Sequence, residues 1–325
     1  MDHYELVLLF IQFGVMLLTA LICGQIMRSL KQPTVLGELL GGILLGPTIL
    51  GTLAPTYFNW LFPVDKSLNL ARDSIINVGM LFFLFVAGLE VKLTHMRKRG
   101  KQVAYTSFLG WLFPMLLGIG AVVVFPRVWG PEALQHGRAF GIFIGTALSI
   151  SALPVIARIL MDLGLIQKEI GIVIMTAATL NDVIGWTLFA IILNVFIPGE
   201  LAEAGTRGQQ VWANMGLLVV FSTGVLLAGR WIGRPVYLWV KAHLSWPTSF
   251  IALTTVVMLG AAAVTEFLGI HAVFGAYLVG IALGQTLEPG EENEAHDIVH
   301  QFAVSFFAPL YFVSIGLRAN FAAYF

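Results

Sequence analysis

The chain alternates long apolar runs with short polar segments. Ten runs approach or exceed the roughly 20 apolar residues a bilayer-spanning helix needs: about 5–27, 35–53, 73–91, 103–125, 138–161, 168–197, 210–229, 248–268, 271–287 and 301–325. Lipid cannot satisfy backbone polar groups, so each run is predicted to be helical, and the alternating pattern of a barrel strand is absent. Residues 231–243 are amphipathic, short and interrupted by Pro235, and they predict an interfacial connector. The first run lacks a preceding basic segment and is too long for a signal-peptide core, so it is taken as a span.

Two runs carry polar interruptions. Asn181 and Asp182 lie side by side near the middle of 168–197. A carboxylate at that depth is costly and marks a functional site by default. In 138–161, Pro154 follows Thr146, Ser149 and Ser151. Proline removes a donor and clashes with the preceding turn, so the helix is expected to kink or open there. The freed carbonyls and hydroxyls suit a small hard cation. Alone, such a proline marks an ordinary kink; beside an intramembrane acid in the next span it predicts a binding site.

A weak internal repeat sets the architecture. Val35–Thr48 aligns without gaps on Val273–Thr286, and Phe85–Glu90 parallels Val313–Arg318 in the same order. An odd number of crossings separates the copies, so they run in opposite directions, the inverted repeat of a secondary transporter. The second copy stops after two counterparts. The expectation is therefore a part of a longer all-α polytopic membrane protein, about ten of thirteen transmembrane helices, with the second repeat truncated.

Composition agrees with a multi-pass membrane protein: 58% of residues are hydrophobic and 11% charged, with a mean hydropathy of +0.87. The 18 basic and 18 acidic residues balance, which gives no case for a nucleic-acid partner. One cysteine, Cys23, excludes an intramolecular disulfide. With the N-terminus outside, inward segments hold eleven Lys and Arg residues, Arg97-Lys98-Arg99 among them, against six outward. That bias favours an external N-terminus.

Leu36–Pro47, Phe82–Glu90, Ser149–Val155, Asn181–Trp186 and Thr265–Tyr277 together resemble the monovalent cation:proton antiporter superfamily, nearest to its bacterial sodium or potassium/proton antiporters and plant cation/proton exchangers. The resemblance covers nearly the whole chain. It implies a homodimer in a bacterial inner membrane, a fixed scaffold and a moving core with crossed broken helices. On this chain the scaffold helices are 1–101, core helices 102–197, a linker 198–247 and further scaffold helices 248–325. It implies no cofactor beyond the transported Na+ or K+ and H+. Electrogenic relatives have two adjacent aspartates, whereas here the first position is Asn181.

One carboxylate holds either one cation or one proton. Both loaded states are neutral, and the bare anion is expensive in a dry gap. The expectation is electroneutral one-for-one exchange by alternating access, with Asp182 as the shared cation and proton site and Asn181 beside it. Thr179, one turn earlier, is placed to bond the carboxylate. Ala178 and Gly185 leave room for a neighbouring helix.

Other ionisable residues have plainer readings. Arg158 pairs with Asp162, snorkels, or steers ions. For Glu90 the resemblance implies an acid that borders an inner funnel with a pH response, whereas its position alone predicts an interfacial salt bridge; Glu38 reads as a packing or interfacial acid. Glu266 and His271 read as capping or interface residues, and His296 and His300 as solvated. A cation channel or another ion-coupled transporter of the same fold is the alternative. An intramembrane aspartyl protease would need a second deep aspartate, and no nucleotide loop or metal-ligand cluster points to an enzyme.

Overall fold

The computed structural model describes residues 3–91, 93–130, 134, 137–196, 216–217, 219–268, 271–286 and 294–321, with the helix backbone alone at 93–99, 138–139, 182–183, 186–196 and 294. Among these residues seven helices are long and apolar enough to cross a membrane, and Glu169–Asn181 and Val273–Gly284 are shorter apolar helices. The expected span 210–229 lies partly outside the described residues.

In chain order the helices are α1 (His3–Ser29), α2 (Thr34–Leu45), the short α3 (Leu50–Leu53) and α4 (Pro55–Leu61), α5 (Lys66–Leu89), α6 (Leu93–Val124), α7 (Gly137–Ser149), α8 (Leu153–Asp162) and α9 (Glu169–Phe196). After residues 197–215 come a π turn at Gly229–Gly233, α10 (Arg234–His243), α11 (Thr248–Phe267), α12 (Val273–Gly284), α13 (Glu294–Phe302), a second π turn at Ala303–Phe307, and α14 (Ala308–Arg318). Local chemistry sets several ends. Asp65 caps α5 by accepting from the Leu68 amide at 2.8 Å, filling one orphan donor of the first turn. Pro154 sits in the first turn of α8, where a missing N–H costs nothing.

The outer faces are apolar. Phe10, Leu21 and Val256 are each more than 60% exposed, as expected for side chains that meet lipid rather than water. Inside, Phe83, Leu84, Leu153, Ala157, Met175, Ala178, Tyr277 and Phe312 form one cluster that joins α5, α8, α9, α12 and α14.

The repeat is visible in the backbone contacts. A Cβ on Gly42 of α2 would lie 2.2 Å from the Val313 carbonyl oxygen of α14, and one on Gly316 would lie 2.2 Å from the Leu39 carbonyl oxygen. At the equivalent positions, a Cβ on Gly280 of α12 would lie 2.1 Å from the Phe85 carbonyl oxygen of α5, and one on Gly88 would lie 2.3 Å from that of Tyr277. Glycine is required at both crossings because the backbones touch. The correspondence goes further than the sequence alignment. A Cβ on Gly37 would meet the Cys23 carbonyl oxygen of α1 at 2.1 Å, and one on Gly275 would meet that of Ala261 in α11 at 2.3 Å. Cys23 and Ala261 stand in the same register that aligns 35–48 with 273–286. Helix α11 is thus the counterpart of α1, a pairing too weak in side-chain identity to be seen in sequence.

Candidate functional site

The expected break is present. Residues 150–152 are non-helical between α7 and α8. Pro154 begins the second half-helix rather than bending a continuous one. Ahead of the break, Ser149 donates from Oγ to the Thr146 carbonyl at 2.9 Å. The Thr146 hydroxyl is fully buried and has no partner among the described residues. Ser151 lies within the non-helical stretch and is half-buried.

Helix α9 crosses this break at close range. A Cβ on Gly185 would lie 2.4 Å from Ile150 Cγ1. Ala178, two turns earlier on the same stripe, packs in the cluster that contains Leu153 and Ala157. Position 182 belongs to this stripe by helical spacing, four residues after Ala178 and three before Gly185. The Asp182 side chain lies outside the described residues.

Asn181 points elsewhere. It is 4% exposed and meets Ser107 of α6. With the amide oriented to satisfy both its polar ends, its nitrogen donates to the Ser107 carbonyl at 2.9 Å and the Ala177 carbonyl at 3.2 Å. A Cβ at Gly110, one turn along α6, would stand 3.3 Å from the amide. Asn181 therefore ties α9 to α6. Ser107 was not singled out by sequence reasoning, and the available signal was modest: a serine one turn before a glycine in the adjoining span. Thr179 donates to its own helix at the Met175 carbonyl, 2.8 Å away.

Arg158 is held on three sides. Its Nη2 donates to Glu38 Oε1 at 2.9 Å and to Thr34 Oγ1 at 3.3 Å, and Nη1 donates to the Val304 carbonyl at 3.1 Å. Asp162 lies 3.6 Å from Arg158 Nε. The guanidinium does not snorkel, and Glu38 is its main ionic partner.

Glu90 follows the last residue of α5 and is 8% exposed. It accepts from the Gln167 side chain, and its Oε1 lies 3.5 Å from His296 Nε2. Burial pushes this carboxyl up, but the hydrogen bonds from His296 and Gln167, with the nearby imidazoles, outweigh burial and leave it below the ordinary carboxylate value. His296 and His300 stack on each other rather than standing free. Glu266 accepts from the Ala272 amide at 2.8 Å, in keeping with a capping role. No cluster of three or more metal-ligating side chains occurs among the described residues.

Known proteins resemble the chain along its length. It is 33% identical over 325 residues to cation/H(+) antiporter 18 of Arabidopsis thaliana, covering 98% of this chain and 38% of the plant protein. The chain thus spans about two-fifths of such plant relatives. It is 29% identical to the Na(+)/H(+) antiporter NhaS4 of Synechocystis, covering 98% of this chain and 75% of that protein. Among solved structures, the sodium proton antiporter MjNhaP1 from Methanocaldococcus jannaschii shares the fold with a TM-score of 0.62 at 14% identity, over 98% of this chain and 72% of that one. The profile described as "sodium/hydrogen exchanger, transmembrane" matches residues 17–325. The chain belongs to the sodium/hydrogen exchanger family.

Proposed function

We propose that this chain carries the cation site of an antiporter that exchanges a monovalent cation, sodium or potassium, for a proton by alternating access. Asp182 is the shared site, and the exchange is electroneutral, one cation for one proton. The observation that carries the reading is the crossing of Gly185 on the broken span at Ile150, three residues from Asp182 on the same helical stripe. The span that α9 crosses there is opened at residues 150–152, and the buried Thr146 hydroxyl ahead of the break has no partner among the described residues. Such a setting replaces part of a cation's hydration shell. Asn181 supports the stoichiometry: it is neutral and its amide is engaged by Ser107, so Asp182 is the one carboxylate of the Asn-Asp pair. The proton-loaded and cation-loaded forms are then both neutral, while the empty anion pays a penalty of several kcal/mol on leaving water.

In this reading helices within 102–197 form the moving part, and those of 1–101 and 248–325 form the fixed scaffold, joined through 198–247. The tight glycine crossings suit a part that does not rearrange. The working form is a homodimer with an external N-terminus. The test is exchange in proteoliposomes, followed with a pH-sensitive dye, with the membrane potential clamped at several values. Electroneutral antiport gives cation-driven proton flux of the same size at every potential. A rate that follows the potential contradicts the stoichiometry, and cation flux without proton movement marks a channel.

A further inference from the structure

The two repeats share their backbone contacts but differ in charge at one buried position. Position 38 of α2 is a glutamate, 3% exposed, and its equivalent in α12 is Ala276, fully buried. Glu38 faces Arg158 on the half-helix α8, with Nη2 and Oε1 2.9 Å apart. The remaining bonds of the cluster also link α8 to other elements. Asp162 Oδ2, at the end of α8, accepts from the Thr34 amide at 2.9 Å and the Thr34 hydroxyl at 2.6 Å, at the start of α2. Arg158 Nη1 reaches the Val304 carbonyl at 3.1 Å. Val304 belongs to the π turn Ala303–Phe307, a wider ladder that takes carbonyls out of α-helical register. One arginine therefore ties the half-helix after the break to two separate scaffold elements. The pairing is incomplete, since Glu38 Oε2 has no partner among the described residues.

An inverted-repeat transporter reaches its two faces by exchanging the roles of its repeats. A contact that both copies can make favours neither face. A contact that only one copy can make weights one of them, since only a difference between the two states shifts their populations. Ala276 cannot form an ion pair, so position 276 of α12 supplies no counterpart of the Glu38 carboxylate. We propose that Arg158, Glu38, Asp162 and Thr34 form a one-sided latch between α8 and α2, which holds the arrangement seen here and opens when the half-helix moves; this rests on the alternating-access reading above. Arg158 is then a positioning residue that acts on the cation site through the half-helix bearing the break.

The test is a distance measurement by pulsed electron resonance on the reconstituted protein, with Cys23→Ser and spin labels at Leu30→Cys and Leu163→Cys. Both label positions are more than half exposed, and they flank the start of α2 and the end of α8. The latched protein gives one dominant distance. Glu38→Gln and Arg158→Met are each expected to add a second distance, shifting the two-state ratio about tenfold. The double variant is expected to shift it no further than either single one, because both remove the same link. Unchanged distances in folded single variants overturn the latch, and so does a double variant whose shift is the product of the two. If a single variant does not fold because it strands a buried charge, the charge-free double variant decides: a second distance supports the latch and its absence refutes it. The readout needs no ion flux. A shift in the variants with no cation-driven proton flux from the wild type therefore contradicts the antiport reading and not the latch, whereas wild-type exchange with unmoved distances in the variants contradicts the latch alone.

Discussion

Two glycine crossings in this molecule are chemically opposite. Where α2 meets α14, Gly42 and Gly316 bring backbone against backbone, and no side chain intervenes. Where α9 meets the break between α7 and α8, Gly185 packs against the Ile150 side chain, and Thr146 and Ser149 lie buried at the end of the half-helix before the break. The first crossing has no room for an ion and recurs at the equivalent pair, Gly88 and Gly280. The second has hydroxyls, an opened backbone and the position of Asp182. Close packing alone does not mark a site; close packing around polar groups that the helices do not fully satisfy does.

The largest effect on this comparison is expected at the dry crossing. Gly42→Leu forces a side chain into the Val313 carbonyl, and overpacking of this kind costs about 1–3 kcal/mol or more. The variant is expected to lose most monodisperse protein on size-exclusion chromatography, with Gly88→Leu behaving alike. Gly120→Leu, where no atom lies within 4 Å of the added Cβ, should be recovered normally. Equal recovery of all three would show that the crossings do not hold the scaffold.

At the polar crossing, Ser107→Ala removes the hydroxyl beside Asn181 and leaves its carbonyl in place. Loss of one buried hydrogen bond is worth about 1 kcal/mol, so exchange is expected to slow by about fivefold in the vesicle assay while thermal stability changes little. An unchanged rate would show that Asn181 needs no hold from α6. Ser74→Ala, whose hydroxyl bonds its own helix at Leu70, is the control.

The smallest effect is expected at Glu90, which lies one residue past the end of α5. Its proton affinity is lowered in the folded protein, so the stabilisation it supplies is fully present above the ordinary carboxylate pKa and is lost as pH falls through the lowered value. The wild-type melting temperature should exceed that of Glu90→Gln at neutral pH, by the equivalent of about 1 kcal/mol. The gap should close as pH falls below the ordinary value of 4.5. A gap that stays constant with pH would mean that the carboxylate charge contributes nothing.

The sequence shows the scaffold more fully than the site. The repeated Gly-rich run places α2 and α12 because glycine spacing records backbone contact, a constraint that few other residues satisfy. The α1 and α11 pairing leaves no such trace, since the partner surfaces at Cys23 and Ala261 contribute carbonyls, and any residue has one. The break at 150–152 is legible from Pro154. The partners of Asn181 and Arg158 are not, because Ser107 is 74 residues from Asn181 and Glu38 is 120 from Arg158. Periodicity reports which face of a helix is buried, not which distant side chain it meets. Glu38 reads as a packing acid until the structure sets a guanidinium beside it.

The central claim is that one carboxylate carries cation and proton in turn. Its most direct measurement is cation-driven proton flux in proteoliposomes reconstituted with Asp182→Asn beside the wild type. Loss of the flux in folded protein is the predicted result, and persistent cation-coupled proton movement in that variant would contradict it.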